Sequence, residues 1–379
     1  MTNLRATSSV SNITAGQIVV DMADKVHDYE PDVAPFLKLM TLSSAGKRKV
    51  ENPLFYHLEQ QRLAVTTTTS ATHTSSVTTL KLSTTVHIQP NMVLKNATTD
   101  ENMLCTAIVS SASVTVTRGW GEVAGTAMSS GDTIINLGPA YTDGDSDETP
   151  LQRLLDSGNN CIQIFRKECG VDWTAQATKM YSGDERLRVR KDALVELKRQ
   201  MEHQFLFGQY KIGGSNDAPQ RQTRGLKYFI STNVHSIGGA LTEPTFLGHL
   251  ESDFRYGNKR KVLLASARFI NAMSTWGLNR LRGNEAMTKA LGIEVNSYTS
   301  PFGQLDVVWH KLLEGPYAGT AFIVDPDNVR YAYLNGLDWQ LRTNIQGNGA
   351  HLYKDEWFAY AGLDMMVEKA HAYYYGVTG

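Results

Sequence analysis

The sequence predicts an α+β protein organised around one long helix, and three observations carry that prediction. Between Ser182 and Gly208, Leu187, Leu194 and Met201 recur every seven residues, with Leu197 and Phe205 on the same stripe. That is the apolar face of an amphipathic helix. Before it, the chain reads as short strands: fourteen of the twenty residues from Thr66 to Thr85 are Ser or Thr, which disfavour helix interiors and, for Thr, suit strands. After it, strand and helix patterns alternate, the order of a mixed domain.

Composition bounds what such a chain does. Its 379 residues are enough for two or three cores, and 41% hydrophobic with 20% charged residues is the balance of a soluble globular protein. A formal charge of −1 argues against a dedicated nucleic-acid binder, which shows a basic excess or stripe. No apolar run approaches the ~20 residues that cross a bilayer, and the N-terminus lacks the order of a signal peptide. Cys105, Cys161 and Cys169 are widely placed with no CxxC pair, so a reducing compartment fits better than a disulfide framework.

In chain order, Met1 to Gly16 is polar and reads as an arm, followed by a short helix on Ile18, Met22 and Val26 that breaks before Pro31 and Pro35. The apolar PFLKLM, Pro35 to Met40, anchors that arm. Leu80, Leu82, Thr84, Val86 and Ile88 alternate with polar neighbours, the period of a half-buried strand. Met103–Val109 and Ser113–Thr117 form a hairpin, and Trp120, Gly121, Gly125, Gly131 and Asp132 punctuate the turns after it. Residues 65–140 thus read as a small β-barrel or sandwich inserted between two flanking strands, Asn52–Arg62 and Asn160–Ala177. The long helix begins with a capping box, Ser182 and Glu185, and stops at Gly208, a span of about 39 Å at 1.5 Å per residue. A Gly/Pro-rich loop, Gly213 to Gln220, follows. Helices are expected at Thr245–Tyr256 and Ser266–Arg282, with a buried strand, KVLLASA, between them. Further strands are expected at Ile293–Tyr298, Gln304–His310 and Thr320–Val324. Leu363, Met365 and Val367 alternate towards a final strand.

Motifs that carry chemistry are missing. The ten histidines are never closer than fourteen residues, so no HExxH or paired Cys/His spacing marks a metal site. Asp143, Asp145 and Asp147 resemble the start of a calcium loop, yet Glu148 and Leu154 stand where Gly and Glu belong. There is no phosphate-cradling glycine motif and no G-x-S-x-G elbow. Arg186, Arg188, Arg190, Lys191, Lys198 and Arg199 are nearly balanced by Asp184, Glu185, Asp192, Glu196 and Glu202, which favours a solvated or subunit-contacting face over DNA binding. The residues singled out are therefore structural: Leu187, Leu194, Leu197, Met201 and Phe205 as the core stripe of the helix, with no catalytic, cofactor or metal residue and no enzyme activity.

Several segments, in order, resemble a known family. PFLKLM near the arm, NNCIQIFRKECGVDWTAQA before the helix, LVELKRQMEHQFLFGQ on it, RQTRGL after it and VEKAHAYYYGVTG at the end are similar to pieces of tailed-phage major capsid proteins of the Hong Kong 97 fold. More specifically, they resemble the SU-ten-type family. ENMLCTAIVSSASVTVTRGWGEVAGTAM resembles the β insertion that several of these carry. The likeness spans nearly the whole chain through short, degenerate motifs. It implies an N-terminal arm and the start of a peripheral domain at 1–50, an extended loop at 51–178 with the β insertion at about 66–140, and a peripheral domain with its spine helix at 179–221. An axial domain follows at 222–344, and 345–379 returns to the peripheral domain with a C-terminal strand. The implied function is the icosahedral head of a tailed bacteriophage. Its subunits form hexamers and pentamers that enclose double-stranded DNA without sequence-specific binding and without a membrane. The implied partners are a separate scaffolding protein, a portal and a decoration protein, with synthesis in the host bacterial cytoplasm and residence in the virion. Some relatives cross-link subunits through Lys–Asn isopeptide bonds; Lys81 and Lys95 lie in the loop region, but no motif marks either. The alternatives are an encapsulin-like compartment shell and a β-rich tail or adhesion protein, against which the long helix argues.

Overall fold

A computed structural model describes residues 34–42, 46–60, 64–143, 155–179, 183–215, 218–276, 281–283 and 295–378. The expected helix on Ile18–Val26, the cap residue Ser182, and Asp145, Asp147, Glu148 and Leu154 lie outside them. The chain divides into two compact units, Met1–His57 with Gly158–Gly379, and Leu58–Ser157.

Helix α1 (Pro35–Leu42), β1 (Lys47–Val50) and β2 (Leu54–Gln60) lead into the second unit. Its strands are β3 (Thr66–Thr68), β4 (Thr79–Lys81), β5 (Met92–Asn96), β6 (Asn102–Ser110), β7 (Ser113–Thr117) and β8 (Thr133–Pro139). They hydrogen-bond in the order β3-β8-β5-β6-β7-β4. The two ends of that order then meet: Thr69 bridges Leu82, while Ser83 N–H donates to Thr68 O at 2.8 Å and Ser70 N–H to Lys81 O at 3.0 Å. The sheet therefore closes on itself around Leu80, Leu82, Ile88, Leu94, Met103, Cys105, Val114, Val116, Met128 and Ile134, and closure removes most of the exposed strand edge. Inside, the Glu101 carboxylate takes both arms of the Arg118 guanidinium at 2.7 Å, plus the N–H groups of Gly119 and Thr126 at 3.0 Å. It pins the long loop after β7, and these bonds hold its pKa low against the opposing effect of burial.

The chain returns through β9 (Leu155–Cys161), which pairs β2. The partner expected for that ladder began at Asn160 and ran to Ala177. Instead β10 (Gln163–Asp172) belongs to a different sheet, and α2 (Trp173–Ala177) is a short helix. The switch occurs where buried Asn160 donates its amide to Leu363 O at 2.7 Å and Arg224 O at 3.1 Å, turning the strand out of the ladder.

Helix α3 (Glu185–Phe207) spans about 35 Å at 1.5 Å per residue. After it come the hairpin β11 (Lys211–Gly214) and β12 (Pro219–Gln222), then α4 (Leu226–Phe229), β13 (Val234–Gly239), α5 (Glu243–Asp253), β14 (Arg260–Ala265), α6 (Ala267–Ser274), β15 (Leu281–Gly283), β16 (Val295–Thr299), β17 (Gln304–Trp309), β18 (Ala321–Val324), β19 (Val329–Leu334), β20 (Gln340–Arg342), β21 (Leu352–Met365) and β22 (Ala372–Val377). One sheet has the order β1-β19-β21-β10, with β20 also on β21; the other runs β13-β22-β18-β14-β17-β16-β15. β19 and β20 join the sheet of β10, and β22 joins the sheet of β14.

β14 is buried at every residue after Arg260 because both faces are covered. Val262 and Leu264 pack in the core that holds α3, and Leu263 and Ala265 in the core of Phe246, Leu250, Phe269 and Met273 from α5 and α6.

Candidate functional site

The long helix is the first candidate. Asp184 caps it by accepting Arg186 N–H, and its buried residues are Ala193, Leu197, Met201, Glu202, Phe205 and Leu206. Leu197, Met201 and Phe205 stand in the core, with Phe205 edge-on to Phe165 at 5.9 Å. Leu187 does not, being 52% exposed, and Leu194 is only half-buried. The reason is geometric: a strict seven-residue repeat drifts by ~20° per heptad on a 3.6-residue helix. The true seam runs 186–190–193–197–201–205, with arginines in its first two positions. Arg186 and Arg190 both donate to the buried Asp355 of β21, at 2.6–2.8 Å. The Arg186 hydrogen bonds above all hold the Asp355 carboxyl well below the usual range. Arg186 also lies over the Tyr353 ring at 4.5 Å, and Trp357 Nε1 donates to Arg190 O at 3.0 Å.

Sequence reasoning missed Glu202. Its carboxylate, on the helix face counted as solvated, is fully buried. It accepts Phe36 N–H at 2.6 Å, Leu37 N–H at 2.9 Å and the His310 Nε2 proton at 2.8 Å. A side chain of α3 thus caps α1 and fixes the segment through which the N-terminal residues enter the fold.

The other buried polar groups are likewise committed to holding backbone. Lys261 donates to the carbonyls of Asp253, Tyr256 and Ala370 at 2.5, 2.8 and 2.7 Å, and burial lowers its pKa to about 8. Asp253 also bonds His235 at 2.8 Å and Tyr374 at 2.5 Å. His371 Nδ1 accepts Asp325 N–H at 3.3 Å while its Nε2–H donates to Met366 O at 3.1 Å. Burial raises Cys105 and Cys161 to about 11, the wrong direction for a nucleophilic thiol. Among the described residues no three His, Cys, Asp or Glu side chains are grouped to hold a metal, and no helix is long and apolar enough to cross a membrane.

What remains is surface. On β2, Leu54, Tyr56 and Leu58 point outward and are exposed, with Leu155 exposed on the paired β9. The root of this ladder is fixed: the buried Asp364 of β21 takes Arg48 Nη1 at 2.9 Å and lies 3.3 Å from His57 Nδ1. Gly158 lies so close to His57 that a Cβ there would stand 2.1 Å from its Nε2. At this root Leu54 and Tyr56 leave apolar surface bare to solvent, which suits contact with another molecule.

Solved capsid structures share this architecture. The capsid of a native GTA particle computed with C5 symmetry matches 98% of this chain and 99% of its own at TM-score 0.54 and 9% identity. The empty GTA particle matches 95% and 96% at 0.50 and 8%. The chain has the Hong Kong 97-like capsid fold, a mixed α/β architecture. It belongs to the SU10 major capsid protein family, whose model matches residues 3–378. The major capsid protein of Pseudomonas phage PaMx41 is 24% identical over 275 residues, which cover 68% of this chain and 65% of that relative's length.

Proposed function

We propose that this chain is the major capsid protein of a tailed bacteriophage. Copies assemble as hexamers and pentamers into a closed icosahedral head around double-stranded DNA, and the chain resides in the virion after synthesis in the host cytoplasm. The single observation that carries this reading is the family match from residue 3 to residue 378, which covers the arm segment, both sheets and the β module. In that frame, the sheet of β1, β19, β21 and β10 with α3 is the peripheral domain and its spine. The seven-stranded sheet with α5 and α6 is the axial domain. The β2–β9 ladder with the closed module is the extended loop. The exposed Leu54, Tyr56 and Leu58 support the last assignment, since a strand pair with a bare apolar face gains stability when laid on a neighbour. A formal charge of −1 suits a container that encloses DNA without gripping it, because each neutralised phosphate adds salt-sensitive affinity. Scaffolding, portal and decoration proteins are the partners that this role implies.

Electron microscopy and native mass measurement test the reading directly. Purified protein, with a scaffold supplied, should form closed shells of uniform size; compact monomers at every concentration would rule the reading out.

A further inference from the structure

Two arginines after the long helix, Arg221 and Arg224, have no carboxylate partner among the described residues. Arg221 stands on β12 opposite Ile212 of β11. The backbone beside it is fixed: Arg224 N–H donates to Asn160 Oδ1 at 2.8 Å, and Gln204 Nε2 donates to Thr223 O at 2.9 Å. Both arginines are half-buried, and both charges act on Cys161, opposing the burial that raises its thiol. Arg224 lies over the Tyr210 ring at 5.3 Å. Beside Arg221 opens a cleft of about 430 Å³, walled by Pro53, Leu54, Tyr56, Ile212 and Pro219. Leu54, Tyr56 and Ile212 are exposed. A half-buried guanidinium among apolar walls suits a carboxylate flanked by apolar side chains, which it grips through two parallel hydrogen bonds.

The β module presents that combination on its surface. The loop after β7 exposes Trp120 by 49% and Val123 by 37%. Glu122, between them, is exposed and has no partner among the described residues. It is the one charged residue from Gly119 to Gly131. The loop is held in shape from both sides. Trp120 N–H donates to Asn102 O at 2.8 Å, and the buried Glu101 accepts the N–H groups of Gly119 and Thr126 at 3.0 Å. A loop fixed in advance loses little freedom when it binds.

We propose that the Trp120–Val123 loop of one copy docks in the Arg221 cleft of a second copy. Trp120 and Val123 lie against the apolar walls, and the Glu122 carboxylate pairs with the Arg221 guanidinium. Charge and polarity together select this occupant. A nucleic-acid backbone would satisfy the arginines but leave Leu54, Tyr56 and Ile212 bare, whereas an indole buries about 150–250 Å². Arg224 adds to the positive field that draws the loop in. Each copy gives one loop and receives another, so the contact is head-to-tail and repeats around a ring. The proposal rests on the capsid reading for the presence of the second copy.

Exchanging the two charges tests it. Neither the Glu122 nor the Arg221 side chain is hydrogen-bonded among the described residues, so Glu122→Lys and Arg221→Glu leave the single chain folded, which circular dichroism checks. Shells of either variant should dissociate several degrees below the parent, because like charges then meet. The double variant, with every contact reversed in sign, should regain most of that loss. Trp120→Ser should weaken shells as well. Glu251→Lys, at an exposed carboxylate on α5, makes the same change in net charge and should match the parent. Single variants as stable as the parent, a double variant no better than the singles, or a Glu251→Lys control as weak as Glu122→Lys would each overturn the proposal. If no chain, the parent included, builds shells, the capsid reading falls by itself. Oxidation of Val123→Cys chains mixed with Ile212→Cys chains then decides the contact. A disulfide-linked dimer formed in the mixture and in neither variant alone sustains it, and monomers throughout end it.

Discussion

Glu202 Oε1 lies 2.8 Å from His310 Nε2, with both side chains sealed from solvent. The same carboxylate closes the first turn of α1 through Phe36 and Leu37. One ionisable group in the C-terminal part of α3 therefore joins the helix, α1 and the loop after β17. Replacing Glu202 with Ala leaves two buried N–H groups and an imidazole without their acceptor, at about 1–3 kcal/mol for each unsatisfied group. Glu202→Ala should lower the unfolding free energy by about 3–5 kcal/mol, and Glu202→Gln, which keeps one carbonyl oxygen, by less. Denaturant unfolding of the unassembled chain reads this. Equal midpoints for Glu202→Ala and the parent would mean that the contact contributes nothing.

The seam of α3 predicts a graded response along the helix. Met201→Asp places a carboxylate in a fully buried site, costing several kcal/mol of a total of about 5–15 kcal/mol, and should abolish folding. Leu194→Asp, at a half-buried position, should lower stability without abolishing it. Leu187→Asp, at an exposed one, should leave the unassembled chain as stable as the parent. Expression, solubility and thermal unfolding of the three rank them. Equal loss of folding at all three would restore the seven-residue stripe as the core face.

The depth to which this molecule was legible follows from the range of each interaction. The helix and the closed β module declared themselves because 3.6-residue and alternating patterns are local. The seam was misplaced because Arg186 and Arg190 occupy positions that pattern reading reserves for apolar side chains; only Asp355, 169 residues from Arg186, explains them. Glu202 was hidden for the same reason, since its partners are 166 and 108 residues away. The sheet that β19 and β22 each join was equally unreadable, because neither strand carries a mark of which edge it will join.

Acid should weaken the fold before it titrates the carboxylates. Burial pushes His371 down to about 4 against the opposing effect of its Nε2–H bond to Met366 O, while Nδ1 accepts from Asp325 N–H. A second ring proton would face an N–H donor. His87, His203 and His249 are also lowered, in each case mainly by burial. With folded pKa values below the unfolded value of about 6.5, the unfolded chain takes up protons first as pH falls. Stability is therefore full above pH ~6.5 and declines below it, His371 alone accounting for about 3 kcal/mol by the time pH reaches its folded pKa. Unfolding free energy measured from pH 7.5 to 5 should fall steadily. A flat profile would show that these imidazoles charge freely in the folded chain.

Removal of the β module is the most informative single deletion. Its entry and exit are already joined, Asn136 N–H donating to Val65 O at 2.8 Å, so a short Gly-Ser turn in place of residues 66–140 spans the gap with little loop-closure cost. The module has its own apolar core, built from Leu80 to Ile134, and none of those residues belongs to the core that holds α3. The remaining chain should therefore fold, with the circular dichroism and cooperative melt of a mixed α/β domain. On the proposed role of the module in assembly, what it should lose is particle robustness, seen as dissociation of shells at lower temperature or under lower internal pressure. Failure of the shortened chain to fold would make the module part of the main core. Shells as resistant as the parent's would reduce it to surface decoration.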